Sequence, residues 1–432
     1  MTENKFEELN QNQIQVTRNA LDRVPLSIII DDSAPLVNLN YFWLRDRHEY
    51  NPQKSQFDSS KNKSWEELPV VIPEKFTREF GEWCRENGVK GKFSVIPCPA
   101  ALGRIDRGLP PFSKKQINNW LNMCREVITP NFDITPEMLT HTFVLDPDTL
   151  KPIEPRIWEQ GEWVELKDLE LTVKYIKKAI NILKNVGLTP EGVTSPGGFG
   201  HKSRGLYSKA VNLAFKEVTD LKIPYFFQQV EEKETGVYPE IWYPEREKGR
   251  ALGEPIATTT DKTGSWTGYG ERDSDYYITP DLKEGRLPEI IEEGGQGILI
   301  SHWQGFYGLH NRDRGGFKIL KTVVNRLQER DPYGEQTQWR KISEIVKYAV
   351  ARDFARIEIK DDELKLDLPV RVSDFTLKID NLQSEQIIIN GVSLKPVDKK
   401  KDFKTGTFYQ EGDKTLLAFD PESREVSIEF GY

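Results

Sequence analysis

The amino-acid sequence predicts a mixed α/β fold followed by a small antiparallel β-sandwich. From Leu26 to about Arg352, short apolar runs alternate with helical patterns, as expected where parallel strands are joined by crossover helices. Beyond Arg352 the apolar residues alternate singly with polar ones, as they do in half-buried strands. About seven strands with helices between them close into an α/β barrel or form an open doubly wound sheet, and in both cases functional loops follow the carboxyl ends of the strands.

Each element of the α/β part rests on a local pattern. Candidate strands begin at Ser27, Lys92, Met138, Gly192, Pro224, Ile256 and Gly297. The most regular helical pattern runs from Leu166 to a C-cap at Gly187, with apolar residues three and four positions apart. Two further apolar stripes predict helices, at Phe317, Leu320, Val324 and Leu327 and at Trp339, Ile342, Ile345 and Ala349. The segment 231–281 exceeds an ordinary connection, and we expect it to form part of a substrate cleft.

The remaining strands belong to the predicted sandwich. Their alternating residues are Ile357 and Ile359, then Leu364, Leu366 and Leu368, then Phe375, Leu377 and Ile379, then Val426, Ile428 and Phe430. Asp361-Asp362 and Asn390-Gly391 supply turns between strands. We therefore expect an α/β domain over residues 24–352 and a β-sandwich over residues 355–432.

Composition and charge narrow the classes of function. The chain has 432 residues and a formal net charge of −8, which disfavours non-specific binding to nucleic acid or to an anionic membrane. Its three cysteines, Cys84, Cys98 and Cys124, lack metal-type spacing and predict reduced, partly buried thiols. Because the sequence has neither an apolar signal core near Met1 nor a segment of membrane-spanning length, it predicts a cytoplasmic protein. It does not specify an oligomeric state.

The run Ile28-Ile29-Ile30-Asp31-Asp32 carries the first functional signal. Ionised carboxylates are costly at the end of a strand this apolar, so the two acids require a cation or a shared proton. The structural alternative is a strand-to-turn connection in which one acid caps the backbone. We favour a functional role, because both carboxylates end a wholly apolar strand.

Three more polar segments fall at or near predicted strand ends: Thr140-His141-Thr142, Thr194-Ser195-Pro196-Gly197-Gly198 and Ser301-His302-Trp303-Gln304. The chain has five histidines, and His141 and His302 both lie in these segments. The structural alternatives are a hydrogen-bonded core histidine at His141 and an ordinary turn at 194–198. His201 and His310 lie in Gly-rich loops, where solvent exposure is the default.

In their order and spacing these motifs resemble those of the polysaccharide deacetylase family, of the nodulation-type chitooligosaccharide deacetylase class, in the glycoside hydrolase/deacetylase barrel superfamily. The resemblance spans roughly residues 24–352 and implies a (β/α)7-type deacetylase-like barrel. It implies that Asp31 is a general base, that Asp32 ligates a zinc-like divalent ion and that His302 is a general acid. His141 corresponds to the first of the two metal-binding histidines in the family.

The sequence departs from the family pattern at two positions. Leu145 stands where the second histidine is expected, with Asp146 beside it as a candidate ligand. Thr194 stands where the family motif Arg-x-Pro-x-Gly has its arginine, and His201 is a candidate substitute. Either another residue completes the metal site, or metal binding is weakened or absent.

The first functional hypothesis is metal-dependent N- or O-deacetylation of an acetylated saccharide. Amide hydrolysis at neutral pH needs an activated water, a stabilised oxyanion and a proton for the leaving amine. The retained Pro196 and Gly198, together with His201 and Trp303, are expected to bind the substrate, and Trp303 supplies an apolar wall beside the acetyl methyl group.

Two alternatives remain open. One is a metal-independent glycoside hydrolase that uses Asp31, Asp32 and a loop acid such as Asp273 or Asp275. The other is a catalytically inactive saccharide-binding protein, which the absent second histidine and the absent arginine favour.

Overall fold

The computed structural model describes residues 13–50, 65–110, 112–309, 312–360, 363–382 and 384–431. The predicted turn Asp361-Asp362 and His310 lie outside the described residues. The helices are α1 (Leu39–Tyr50), α2 (Glu74–Glu86), α3 (Lys114–Met123), α4 (Leu169–Asn185), α5 (Arg204–Val218), α6 (Arg286–Glu293), α7 (Trp303–Tyr307), α8 (Gly315–Arg330) and α9 (Ile342–Phe354). The strands up to α9 are β1 (Ile14–Val16), β2 (Val24–Asp31), β3 (Gly91–Ser94), β4 (Phe132–Thr135), β5 (Gly192–Thr194), β6 (Tyr225–Phe227), β7 (Gln229–Val230), β8 (Glu240–Glu245), β9 (Arg250–Glu254), β10 (Ile256–Ala257), β11 (Gly297–His302) and β12 (Thr337–Trp339).

Strand β2 is the centre of the sheet that positions the site. It is buried along its whole length, as a strand covered on both faces must be, and it lies parallel to both β11 and β3. Strand β4 follows β3, and β12 pairs with the first half of β2. The carboxyl ends of β2, β3, β4 and β11 therefore meet at one edge.

A second sheet has the order β5-β6-β9-β8, and β7 pairs with β10. A few backbone contacts outside the named strand pairs link these sheets. Ile134 forms a parallel bridge with Pro190, Thr194 N donates to Pro136 O at 2.9 Å, and Thr258 N donates to Ile298 O at 2.8 Å. The strand pairing thus shows a mixed α/β fold, as predicted, but it does not confirm a closed seven-stranded barrel.

Three sequence expectations in the α/β part need correction. Trp339, predicted in a helix, belongs to β12, and the helix begins at Ile342. The third of the predicted strands is expected to begin at Met138. The structure instead has β4, which ends before Pro136, and Met138 lies in the following loop with φ at 49°. Proline has no N–H for a strand ladder, which explains the early end. The segment 231–281 is not one long loop, because it contains β8, β9 and β10.

The C-terminal part is built from two packed sheets. Its strands are β13 (Arg356–Lys360), β14 (Glu363–Asp367), β15 (Phe375–Asp380), β16 (Gln386–Ile389), β17 (Val392–Ser393), β18 (Lys395–Val397), β19 (Thr407–Glu411), β20 (Lys414–Phe419) and β21 (Glu425–Gly431). One sheet, β13-β14-β21-β16-β17, is antiparallel throughout. Leu366 and Ile428 of this sheet and Leu377 and Leu417 of the other belong to one buried apolar cluster.

The second C-terminal sheet has the order β1-β15-β20-β19-β18. Its edge strand β1 comes from the beginning of the described chain and pairs antiparallel with β15, a partner that no local pattern predicts. The predicted antiparallel C-terminal sheet is therefore present, with β18 and β19 as a parallel exception. Across the described ranges, no helix combines the length and apolarity needed to cross a membrane.

Candidate metal centre and catalytic groups

The two adjacent aspartates at the end of β2 face different surroundings. Asp31 is the last residue of the strand, and Asp32 adopts a left-handed backbone conformation with φ at 63°. Both side chains are buried. The sharp change of backbone direction at Asp32 separates the two carboxylates, so each one has its own partner.

The Asp32 carboxylate belongs to a buried group with the composition of a metal site. Ligand atoms of Asp32, Glu137 and His141 all lie within 4.8 Å of one another. His141 Nε2 lies 2.6 Å from Asp32 Oδ1 and 3.3 Å from Glu137 Oε1. Nδ1 of His141 has no hydrogen-bond partner among the described residues, and Nε2 faces the two carboxylates. Two carboxylates and an imidazole nitrogen are a donor set that fits zinc or a similar divalent ion.

The charge of His141 and the charge of Asp32 stabilise each other. Burial opposes the charged imidazolium of His141, but the carboxylates of Asp32 and Glu137 outweigh it and raise the pKa of His141 well above its usual value. Burial likewise opposes ionisation of Asp32, yet His141 lowers the pKa of that carboxyl. The carboxylate of Asp32 is therefore held in the charged form that metal binding requires.

Glu137 is the member of this candidate metal site that the sequence did not predict. It precedes His141 by four residues, whereas the family pattern directs attention to Leu145 and Asp146 on the other side of the histidine. Its Oε2 also accepts a hydrogen bond from the backbone N of Asp32 at 2.8 Å, which fixes the carboxylate against the turn after β2. The sequence does carry one signal for Glu137. It lies four positions before His141, and the second histidine of the family motif is expected four positions after it, at Leu145.

The structure does not bring Asp146 to this group. Its Oδ1 accepts hydrogen bonds from the backbone N atoms of Asp148 and Thr149, at 3.0 and 2.7 Å, and from Thr149 Oγ1 at 2.9 Å. Asp146 therefore caps a turn and is not placed as a ligand of this group.

The loop that carries His141 is anchored by a buried carboxylate. Glu159 accepts hydrogen bonds from the backbone N atoms of Leu139, Thr140 and His141 and from the hydroxyl of Tyr175. Burial raises the pKa of Glu159 to about 7, although these donors favour the charged form. The anchor holds His141 in a left-handed conformation, with φ at 65°, that a non-glycine residue adopts only under such constraint.

The Asp31 carboxylate is paired with a lysine from the neighbouring strand. Lys92 of β3 is completely buried, and its Nζ forms an ion pair with Asp31 Oδ1 and donates to Ser94 Oγ at 2.8 Å. Burial raises the pKa of Asp31, and the charge of Lys92 opposes that rise. Thr194, at the position of the family arginine, instead shares a hydrogen bond of 2.9 Å with Thr135. The cation beside Asp31 therefore comes from β3 and not from the third motif.

His302 ends β11 and has a carboxylate of its own. Its Nδ1 lies 2.7 Å from Asp261 Oδ2, and about a fifth of its side chain (21%) remains exposed. Burial lowers the pKa of His302, but the hydrogen bond to Asp261 and the nearby charge of Asp32 overcome it and raise the pKa to about 9. Protonated and accessible, the imidazolium has the charge and exposure of a general acid. Asp261 had not been singled out from the sequence.

The predicted substrate-binding residues lie in several environments. Trp303 is fully buried and packs on Phe76 and Phe93, with ring centroids at 4.7 and 5.1 Å, so its ring belongs to the core behind the site. Its predicted role as an apolar wall for substrate does not agree with this position. Pro196 is buried and Gly198 half-buried in the loop after β5, where Gly198 N donates to Gln160 O at 2.8 Å, while His201 is exposed.

The loop acids proposed for a glycosidase mechanism have structural partners. Asp275 Oδ1 forms an ion pair with Arg326 at 2.6 Å, and Asp273 Oδ1 accepts a hydrogen bond from Asp275 N at 2.9 Å. The loop acid that contacts the candidate catalytic groups is Asp261, through His302.

No model of a known protein family matches the chain, and neither does a curated protein. Similar solved structures include a probable polysaccharide deacetylase from Pseudomonas aeruginosa PAO1, with 12% identity over 63% of this chain and 71% of that chain and a TM-score of 0.36. A variant of BA3943, a CE4 family pseudoenzyme with restored enzymatic activity, has 11% identity over 64% of each chain and a TM-score of 0.30. The 4-alpha-glucanotransferase from Thermococcus litoralis has 12% identity over 74% of this chain and 40% of that chain, with a TM-score of 0.38. The first of these structures bears the name of the family that the motifs resemble.

Proposed function

We propose that this protein is a metal-dependent hydrolase that removes an acetyl group from a saccharide. The observation that carries the proposal is the buried Asp32, Glu137 and His141 group, placed beside Asp31 and His302 where β2 and β11 end. This arrangement joins a ligand set, a base and an acid at one edge of a sheet, which is what hydrolysis of an amide or ester needs.

A divalent ion, zinc by its ligand preference, held by Asp32, Glu137 and His141 would polarise the acetyl carbonyl and lower the pKa of water. Asp31 would accept the proton of the attacking water, and Lys92 holds its carboxylate in place. His302 would donate a proton to the leaving nitrogen or oxygen, with Asp261 keeping the imidazole oriented and charged.

Two features favour an active enzyme over an inactive saccharide-binding protein. The absent second histidine is matched by a buried carboxylate, Glu137, and the absent arginine is matched by a buried cation, Lys92. A metal-independent glycosidase has less support, because Asp273 and Asp275 are held by other groups. The closed (β/α)7-type barrel, the domain bounds 24–352 and 355–432, the loop contacts of Pro196, Gly198 and His201 with substrate and the cytoplasmic location remain predictions of this proposal.

Metal analysis combined with acetate release tests the proposal. The purified protein is assayed for zinc content and for acetate release from acetylated oligosaccharides, with and without a chelator. We expect about one metal ion per chain and an activity that disappears on chelation and returns with zinc. Chelator-resistant cleavage of glycosidic bonds would instead identify a glycoside hydrolase, and neither metal nor activity would identify a binding protein.

Two substitutions separate the roles of the adjacent acids. Asp32→Asn should abolish stoichiometric metal binding, because it removes a charged ligand. Asp31→Asn should retain the metal and lose acetate release, because it removes the base alone. Full metal occupancy in Asp32→Asn would show that the ligand assignment is wrong.

A further inference from the structure

A cavity of about 220 Å³ lies between the α/β part and the C-terminal sheets. It is lined by residues at the start of β2, around α9 and in the connection before β15, among them Arg23, Gln338, Arg340, Lys347, Arg371 and Ser373. Four of its described lining residues are basic, and one, Glu344, is acidic. In a chain of net charge −8, this is a local concentration of positive charge.

Two of the four cations already have carboxylate partners. Arg340 Nη2 forms an ion pair with Asp374 at 2.5 Å, and Lys347 Nζ lies 3.4 Å from Glu191. The basic lining residues without a carboxylate at ion-pair distance are therefore Arg23 and Arg371.

Arg23 and Arg371 form no ion pair with any described residue. Arg23 Nη2 donates to the carbonyl of Phe403 at 2.8 Å, and Arg371 Nη1 donates to the carbonyl of Glu422 at 2.9 Å. Arg23 Nε is buried and has no hydrogen-bond partner among the described residues. Neither guanidinium group therefore has a carboxylate at ion-pair distance among the described residues, and Arg23 keeps an unused buried donor.

The surroundings of Arg23 disfavour its positive charge. Burial lowers the pKa of Arg23, the carboxylates of Asp331, Asp374 and Glu335 partly oppose that effect, and the charge of Arg340 adds to it. An anion inside the cavity would add negative charge beside Arg23 and Arg371, which both line it.

We propose that this cavity is a binding site for a small oxyanion, the phosphate or carboxylate group of a small metabolite, held by Arg23 and Arg371. A guanidinium group presents a planar fork of N–H donors that matches both kinds of oxyanion. Gln338 and Ser373 in the lining add polar groups for hydroxyls of the same molecule.

The site is separate from the candidate metal centre. Arg23 directly precedes β2, and Asp31 is the last residue of that strand. At about 3.3 Å per residue, the two residues lie roughly 25 Å apart along it. A ligand in the cavity therefore contacts the interface with the C-terminal sheets and not the reacting groups.

Calorimetric titration tests the site with inorganic phosphate and, separately, with glucuronate, in both cases with ionic strength held constant by NaCl. The background is Asp32→Asn, so that phosphate has no metal ion to bind. We expect saturable binding of at least one probe. Binding of inorganic phosphate indicates a phosphate ligand, and binding of glucuronate indicates a carboxylate ligand. Absence of saturable binding of both probes would overturn the proposal.

Three variants locate the binding within the protein. Arg23→Gln and Arg371→Gln should each weaken binding at least tenfold, as expected for the loss of one charged hydrogen-bonding partner. Arg371 is exposed, so Arg371→Gln keeps the test informative if Arg23→Gln fails to fold. Arg107→Gln, which removes the same charge from an exposed residue outside the cavity lining, should bind like the parent. Equal affinity in all three variants would show that the two arginines do not form the site.

Discussion

His302 lies directly opposite Asp31 in the parallel pairing of β11 with β2. Neighbouring strands lie about 4.8 Å apart, so the candidate acid and the candidate base leave the sheet side by side. Each side chain nevertheless has its own oppositely charged partner, Asp261 for His302 and Lys92 for Asp31. The separate partners allow the two groups to hold different protonation states at one pH, which acid–base catalysis requires.

Replacing Glu137 with Gln should weaken metal binding by about 10-fold or more, because it removes one charged ligand from the group. Asp146→Asn is the matched control, since that carboxylate caps a turn, and its metal affinity should be unchanged. Metal affinity is measured by competition with a chromophoric chelator. A stronger effect of Asp146→Asn than of Glu137→Gln would reinstate the ligand set expected from the sequence.

Lys92→Met should destabilise the protein by about 3–5 kcal/mol, because it leaves the buried carboxylate of Asp31 without its cation. The double variant Lys92→Met/Asp31→Asn should recover much of this loss, since no buried charge is then unpaired. Urea unfolding of the wild type, both single variants and the double variant gives the coupling energy. Additive effects of the two substitutions would contradict a direct ion pair.

Asp261→Asn should move the alkaline limb of the pH profile of kcat/KM to lower pH. Against the opposing effect of burial, the hydrogen bond to Asp261 and the charge of Asp32 raise the pKa of His302 to about 9, so the acid stays protonated at neutral pH and loses its proton above about pH 9. Without the Asp261 charge, the limb should shift downward by about 1–3 pH units. Asp273→Asn, whose carboxylate caps its own loop, should leave the profile unchanged.

Trp303→Ala should cost about 3–5 kcal/mol in the free energy of unfolding, because the ring fills the core between Phe76 and Phe93. Trp303→Phe should keep KM for the acetylated substrate, since the side chain lies behind the site. Chemical denaturation and steady-state kinetics measure the two quantities. A raised KM in Trp303→Phe at wild-type stability would restore the predicted substrate contact.

The sequence predicts those strands and helices whose pattern lies within a few consecutive residues. Strand β2 and helix α4 follow from an apolar run and a regular stripe, and α4 begins after an Asp168 N-cap and is followed by Gly187 in a left-handed conformation. The prediction placed strand β4 too late in the chain, because β4 has only four residues and the apolar residues around Met138, beyond Pro136, give a similar pattern. Closure of the strands into a barrel depends on long-range hydrogen bonds, which no local period encodes.

For the site, the sequence led to Asp31, Asp32, His141 and His302, which the structure places around one strand edge. It did not lead to Glu137, Lys92 or Asp261, because their importance depends on which side chain they face in space. Lys92 looked like the first residue of a strand, and only the pairing of β3 with β2 brings its ammonium group to Asp31.

Pairing of β1 with β15 joins Ile14 to Ile379 and so affects how the chain folds during synthesis. At about 5–20 residues per second, Ile14 leaves the ribosome roughly 20–70 s before its partner strand is made. During that time the first strand has no β15 to pair with, and the C-terminal sheet gains this edge strand only after β15 has been made. A segment that is synthesised early therefore reaches its native partner late.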